Sequence, residues 1–243
     1  MAQAKLNVKL LDITDNALSI IYAACRQCYS SKFAYDLIKE KKDDKKKKGF
    51  VKRVVASGHE SPLEHVKFTF AIEGVSRTLT HQLVRHRIAS YSQQSARYVK
   101  MTDFNYIIPP SIEKDKKLRS EFIKIMAEAQ NSYNKILELL KGKGLVGEKV
   151  NQDARFVLPQ GAETKIVVTM NCRELIHFFK LRCCARAQWE IRNLANKMLN
   201  ICKKKLPAVF SKAGAKCISL GYCPEGEKFT CGRYPLREKI LTK

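Results

Sequence analysis

The chain has 243 residues, 45% of them hydrophobic and 28% charged, which is the balance of a globular protein rather than a disordered or fibrous one. No run of about 18 apolar residues occurs, so a transmembrane helix is excluded; the N-terminus lacks a secretory signal's apolar region, and the cytoplasm is the expected compartment. Lysine and arginine number 46 against 23 acidic residues, a net charge of +23 that calls for anionic partners: nucleic acid, a membrane surface, or phosphorylated and carboxylated small molecules.

In chain order, Leu6 to Ile13 alternates well enough to predict a first strand. Thr14, Asp15 and Asn16 offer N-caps for a helix through about Cys28. A second helix is expected over residues 34–57, interrupted at the charge run Lys39 to Lys48, which reads as a solvated helix end or loop. Gly58-His59-Glu60-Ser61-Pro62 breaks it. Val66 to Ile72 then alternates with β-branched and aromatic residues, as a half-buried strand does.

A helix is expected around Ser76 to Arg87, followed by a polar loop from Ser90 to Arg97, too rich in hydroxyls and amides for a core. Ser111 is expected to cap a long amphipathic helix whose apolar stripe is Leu118, Phe122, Met126, Ala129, Tyr133, Ile136 and Leu140, ending at Gly142 and Gly144. A short helix carries Asp153 to Val157, a strand Lys165 to Met170, and two further helices Asn171 to Cys184 and Ala187 to Lys203. The tail after Pro207 is irregular. With no internal repeat or linker, the pattern is α+β: a single domain over 1–243 with a central mixed or antiparallel sheet flanked by long helices, and a Cys-containing tail from about 207.

Nine cysteines without a secretion signal read as reduced thiols. Cys25 and Cys28 form a CxxC inside a helical run rather than at a strand-to-helix turn, which argues against redox chemistry. Cys217, Cys223 and Cys231 are spaced more widely than the usual zinc pairs, so no metal is expected.

The densest chemical signal is Arg85-His86-Arg87-Ile88-Ala89-Ser90-Tyr91-Ser92-Gln93-Gln94-Ser95-Ala96-Arg97-Tyr98. Three consecutive cationic or titratable residues are costly to bury without anions. The hydroxyls, amides and arginine after them are what phosphate recognition uses, whereas a plain basic surface would be richer in lysine. A second cluster, Gly58-His59-Glu60-Ser61-Pro62-Leu63-Glu64-His65, is either a capped turn with exposed histidines or one histidine facing a ligand; the two histidines straddle a proline and need not converge on a metal. In a third, Arg173 and His177 are four apart, as are Arg182 and Arg186, among Leu175, Ile176, Phe178, Phe179 and Leu181, so one helix face is core and the other cationic. Arg155 stands in an apolar setting beside Phe156 and Val157. There is no GxGxxG after a strand, no GxxxxGK[ST] loop, and no cysteine in the arginine/serine stretch where a covalent nucleophile would be expected.

Arg-His-Arg, seven residues, then Ser (Arg85 to Ser95) resembles the signature of the flavin-dependent thymidylate synthases. Gly58 to His65 resembles that family's upstream His motif. Arg155-Phe-Val-Leu-Pro, Asn171-Cys-Arg173-Glu-Leu, and Leu181-Arg182 followed by Ala187-Gln188-Trp189-Glu190-Ile191 resemble its downstream blocks, in order from about residue 58 to 192.

The resemblance implies a homotetramer with active sites shared between subunits, FAD as cofactor, and dUMP, methylenetetrahydrofolate and NADPH as substrates, with neither nucleic acid nor membrane as partner. Carried over by position, His59, Arg85, His86, Arg87, Gln93, Asn171, Arg173 and His177 are the FAD set. Gln82, Arg85, Gln93, Ser95, Ala96, Arg97, Arg155 and Arg182 are the dUMP set, with Arg155 reaching a neighbouring subunit's site, and Tyr98 and His59 bordering the folate. Arg182, His59 and Ser95 are the catalytic candidates, Ser95 as a ligand to phosphate or uracil rather than a nucleophile. Gln93 stands where some members have Glu, His177 where some have Asn, and Arg186 where some have His. Two other readings are a basic nucleic-acid-binding protein, for which no recognition motif occurs, and a flavoprotein acting on another nucleotide.

Overall fold

The computed structural model describes residues 1–39 and 43–241. The expected first strand is β1 (Asn7–Ile13), followed by α1 (Ala17–Gln27). Asn16 takes the N-cap position in the left-handed region (φ 52°), which asparagine tolerates, and its side chain makes no cap bond. The expected second helix is two: α2 (Ala34–Lys39) and α3 (Asp44–Ala56), the latter capped by Asp43, which accepts from the Lys45 N–H. Part of the charge run, residues 40–42, lies outside the described residues. Within the rest, Lys47 is not solvated: it is buried and its Nζ donates to Ser19 Oγ at 3.1 Å.

A 3-10 turn over Ser61–His65 leads into β2 (Lys67–Ser76), which outruns the expected strand by four residues. Ser76 then caps α4 (Arg77–Leu83) by accepting from the Leu79 N–H. The helix ends before Arg85, so Arg85-His86-Arg87 sits on the turn after it. The expected polar loop begins instead as a strand, β3 (Ala89–Gln93), because a sheet edge pairs backbone groups and accepts polar side chains that find their own partners.

Ser111 does not cap the long helix. Pro109-Pro110 opens a separate short helix, α5 (Pro110–Glu113), and Asp115 caps α6 (Lys116–Gly142), accepting from the Lys117 and Leu118 N–H groups. The chain continues through α7 (Glu148–Ala154) with a 3-10 turn over Arg155–Val157, β4 (Glu163–Asn171), α8 (Cys172–Arg182) and α9 (Trp189–Lys205). Among the described residues the irregular tail contains the short α-helices α10 (Pro207–Phe210), α11 (Lys216–Leu220) and α12 (Glu238–Leu241) and a 3-10 turn over Glu227–Phe229.

The strands form one sheet in the order β1-β2-β4-β3. Thr69 lies against Thr169 (Oγ1–Oγ1 3.0 Å) while Glu163, at the other end of β4, accepts from the Gly74 N–H, a register that makes the β2–β4 pair antiparallel.

The chain divides into two compact units. The first comprises residues 1–7, 71–85 and 91–167. Its core sets Phe104, Tyr106, Ile108 and Ala162 around Met126 of α6, and Val150 and Ala154 around Tyr133 and Leu137. The α6 stripe is thus Met126, Tyr133 and Leu137, all buried, with the expected Phe122, Ala129, Ile136 and Leu140 packed partly buried against the same cores. Gln130, also buried, accepts from the Phe104 N–H. Of the expected stripe Leu118 is 53% exposed, since the helix's first turn extends past this core. The second unit comprises residues 8–70, 86–90 and 168–243. A ring cluster anchors it: Phe210 meets Phe68 edge-on at 5.7 Å and Phe179 at 6.1 Å, and Phe178 stands 5.7 Å from Phe179. Among the described residues no helix is long and apolar enough to cross a membrane.

Candidate functional site

The two units divide the candidate residues. His59, His86, Arg87, Asn171, Arg173, His177 and Arg182 belong to the second; Gln82, Arg85, Gln93, Ser95, Ala96, Arg97 and Arg155 belong to the first.

In the second unit the sequence Asn171-Cys-Arg-Glu starts α8 with a side-chain cap: Asn171 Oδ1 accepts from the Glu174 N–H at 2.8 Å. This fixes Asn171 structurally and turns Glu174 inward, where it is buried. His86 Nδ1 lies 3.1 Å from Glu174 Oε1, and Arg182 Nε donates to His86 Nε2 at 3.1 Å. The two contacts settle the tautomer. A guanidinium N–H can only donate, so Nε2 accepts and the imidazole proton is on Nδ1, donated to Glu174. Burial, then the charges of Arg182 and His177, hold His86 down to about 4, so it is neutral near pH 7. Burial also raises the Glu174 carboxyl, with His177 opposing. The ring packs edge-on against Phe178 at 4.9 Å and lies 6.0 Å from His177.

Arg173 and His177 are exposed on the outer face of α8, as the four-residue spacing predicts. Arg173 is held by Glu64, with Glu60 3.9 Å away, and Lys180 donates to Glu60 at 3.1 Å. The hydrogen bond that Arg173 donates to the Glu64 carboxylate raises the arginine's already high pKa. The acidic residues of the upstream His motif therefore position cations, while His59 and His65 are both exposed.

In the first unit Gln93, on β3, donates through Nε2 to Thr80 and Thr164, each at 3.2 Å. Ser95 Oγ accepts from the Arg97 N–H at 3.2 Å, in a turn that buries Ala96. Arg97 Nη2 donates to Glu148 at 2.8 Å, but its Nε is buried with no hydrogen-bond partner among the described residues. A buried guanidinium N–H without a partner is costly, and a bound anion would relieve it. Arg155 lies on the turn after α7, its Nε donating to the Gln152 carbonyl at 3.2 Å; the next residue, Phe156, is 84% exposed. Burial and then Arg155 lower the pKa of Arg77, so two guanidinium groups face one another's field. The apolar, partly buried setting expected for Arg155 is not found, because Phe156 and Val157 point to solvent and Arg155 itself is exposed.

Sequence reasoning missed Arg77, Glu148 and Glu174. Only Glu174 carried a signal: an acidic residue three positions after an Asn cap, in the first turn of a helix. Arg186, whose role the sequence left open, is bound to Glu225 and stacks over the Phe229 ring at 4.2 Å.

The family model for thymidylate synthase complementing protein matches residues 9–208. The chain is 54% identical to the flavin-dependent thymidylate synthase of Nitratidesulfovibrio vulgaris, over 99% of this chain and 100% of that one. It is 50% identical to that of Clostridium tetani over 96% of each, and 46% identical to that of Pyrococcus abyssi over 90% of each.

Proposed function

The chain belongs to the thymidylate synthase complementing protein family, and from that premise we propose that this enzyme converts dUMP to dTMP by reductive methylation, with FAD as cofactor, methylenetetrahydrofolate as carbon donor and NADPH as reductant. The observation that carries the reading is the hydrogen-bonded chain Arg182–His86–Glu174, which fixes a guanidinium from its buried side. On this reading Arg182 meets the uracil and stabilises negative charge developing on the ring, a role in which a pre-placed donor is worth about 3–4 kcal/mol.

The donor set suits an anionic dinucleotide: His59, Arg85, Arg87, Arg173 and His177 are all exposed, and Asn171 and Gln93 are held in place beside them in sequence or by their own hydrogen bonds. These residues and His86 would hold FAD, which supplies hydride transfer when bound. His86 contributes by orienting Arg182, since both its ring nitrogens are engaged. Arg97, with Gln82, Arg85, Ser95 and Ala96, would take the dUMP phosphate, and Arg155 would complete the site of a neighbouring subunit in a cytoplasmic homotetramer. His59 and Tyr98, exposed, would border the folate. No cysteine is among these positions, and the methylation is proposed to proceed without a cysteine nucleophile, nucleic acid or membrane.

The test is anaerobic dTMP formation by purified protein with dUMP, FAD, NADPH and methylenetetrahydrofolate, repeated with FAD or NADPH left out. Product that disappears on either omission is expected. Folded, FAD-loaded protein that forms no dTMP would overturn the assignment.

A further inference from the structure

Three of the cysteines that sequence spacing set apart as too widely separated for a metal are brought together with a fourth. Cys184 (just after α8), Cys217 (in α11), Cys223 and Cys231 all line one cavity of the second unit, about 20 Å³ in volume. A space of that size holds one water-sized occupant. Cys217 lies within electrostatic reach of each of the other three. All four are free thiols, as are the deeply buried Cys25, Cys172 and Cys202, which lie outside this cavity and pack as small apolar groups.

The chain reaches this cavity by sharp turns. Gly221 (φ 75°) precedes Cys223 by two residues and Gly232 (φ 74°) follows Cys231 directly, so both are reversals that glycine adopts without strain. The Cys223 N–H donates to the Pro235 carbonyl at 2.7 Å and folds the segment between them back on itself. Among residues 216–240, Cys223 alone is buried. An apolar core therefore does not hold this segment down, the situation in which small domains use a metal or disulfides instead.

Charge is the second observation. Lys180, Arg186, Lys216 and Arg233 line the same cavity. Four thiolates around a divalent cation carry a net charge of −2, and cations around such a site offset it.

We propose that Cys184, Cys217, Cys223 and Cys231 form a tetrahedral site for one zinc ion, which clamps the tail against the end of α8. Binding is not redox: four S–H bonds give up four protons to water and four Zn–S bonds form, each about 2.3 Å. Among the described residues no group of three or more His, Cys, Asp or Glu side chains already has metal-holding geometry, so the thiols turn inward from the cavity wall as the metal enters. The family match ends at residue 208, before three of the four ligands, and the site is independent of the reaction proposed above. Its consequence for that reaction is indirect: the clamp holds Glu225 and Phe229, the two partners of Arg186.

The full-length protein, isolated anaerobically with reductant and supplied with zinc, is expected to carry one zinc ion per chain by elemental analysis. Cys223→Ser and Cys231→Ser should each bring that content close to zero, while Cys28→Ser, an exposed thiol outside the cavity, leaves it unchanged. Replacing zinc with cobalt in the unaltered protein should give the intense visible bands of tetrahedral thiolate coordination, a readout that stands even if the serine variants do not fold. Folded, reduced protein that takes up no zinc would overturn the proposal. So would a disulfide between any two of the four in anaerobically isolated protein, zinc retained by both serine variants, or the pale spectrum of octahedral cobalt.

Discussion

Arg182 donates its Nε–H to Nε2 of His86, 96 residues earlier in the chain, at 3.1 Å. The bond ties the last turn of α8 to the Arg-His-Arg turn, and it requires the histidine to be neutral with its proton on the other nitrogen. Glu174 meets that requirement from behind. Removing the acceptor without changing the volume much, as in Glu174→Leu, should leave Arg182 misaimed and lower kcat by up to about 100-fold, the cost of a misplacement on the ångström scale. Glu174→Gln can still accept from Nδ1–H and should stay within several-fold of the parent. Arg182→Ala should cost about 100- to 1000-fold in kcat. Steady-state kinetics at saturating dUMP compares the three; equal losses in the Leu and Gln variants would mean that Glu174 serves folding and not aim.

The same histidine makes stability depend on pH. Its folded value, about 4, lies below its unfolded value of about 6.5, so in the window between them the unfolded chain binds a proton that the folded chain refuses. Its contribution is fully present above about pH 6.5 and is lost as pH falls toward 4, up to about 3 kcal/mol before the raised carboxyl of Glu174 offsets part of it. Melting curves at pH 7 and pH 5 should show a drop in Tm that is smaller in His86→Asn. An unchanged drop in that variant would place the pH dependence elsewhere.

Arg97 is shared between Glu148 and the anion it is proposed to bind. Both side chains are about two-fifths exposed, so the ion pair adds little stability in water. Glu148→Gln should therefore leave the Tm within about 1 °C, yet lower the dUMP KM several-fold by freeing the guanidinium. A raised KM would show instead that Glu148 presents Arg97 to its ligand.

Gly74 cannot be replaced quietly. Its φ is +66°, and a Cβ there would stand 2.0 Å from the Lys5 carbonyl oxygen, a backbone atom of the neighbouring segment. Gly74→Ala should cost about 2–4 kcal/mol, the sum of left-handed strain and forced overpacking. Urea denaturation should show a lower midpoint with an unchanged slope; a midpoint within error of the parent would contradict the crowding.

Where residues could be read from the chain, the reason is local. Alternation marked β1 and β2, since a strand half buried on one face must alternate. The cationic face of Arg173 and His177 follows from helix geometry alone. The failures share a cause too. Ser111 and Asp115 are both plausible caps, and only the short helix opened by Pro110 decides between them. Ser90 to Gln93 reads as loop because hydroxyls and amides shun cores, but Gln93 finds Thr80 and Thr164 at 3.2 Å, partners distant in sequence. Glu148 and Arg77 were invisible for the same reason, and the place of Glu174 three residues after Asn171 marks a helix start but not its partner His86: these roles arise from pairing across the fold. The meeting of Cys184 with the tail cysteines likewise depends on turns whose direction no spacing rule encodes.

The exposed turn bearing Arg155 and Phe156 has a consequence for how the enzyme would behave in a mixture. If that arginine serves a neighbour's site, a chain lacking Arg155 and a chain lacking Arg182 are defective in different halves of the same shared centre. Each alone should be inactive, and co-refolding the two should restore a measurable fraction of activity by complementation. Specific activity should also fall on dilution, since the separated chain leaves Phe156 in water and carries the arginine away from its work.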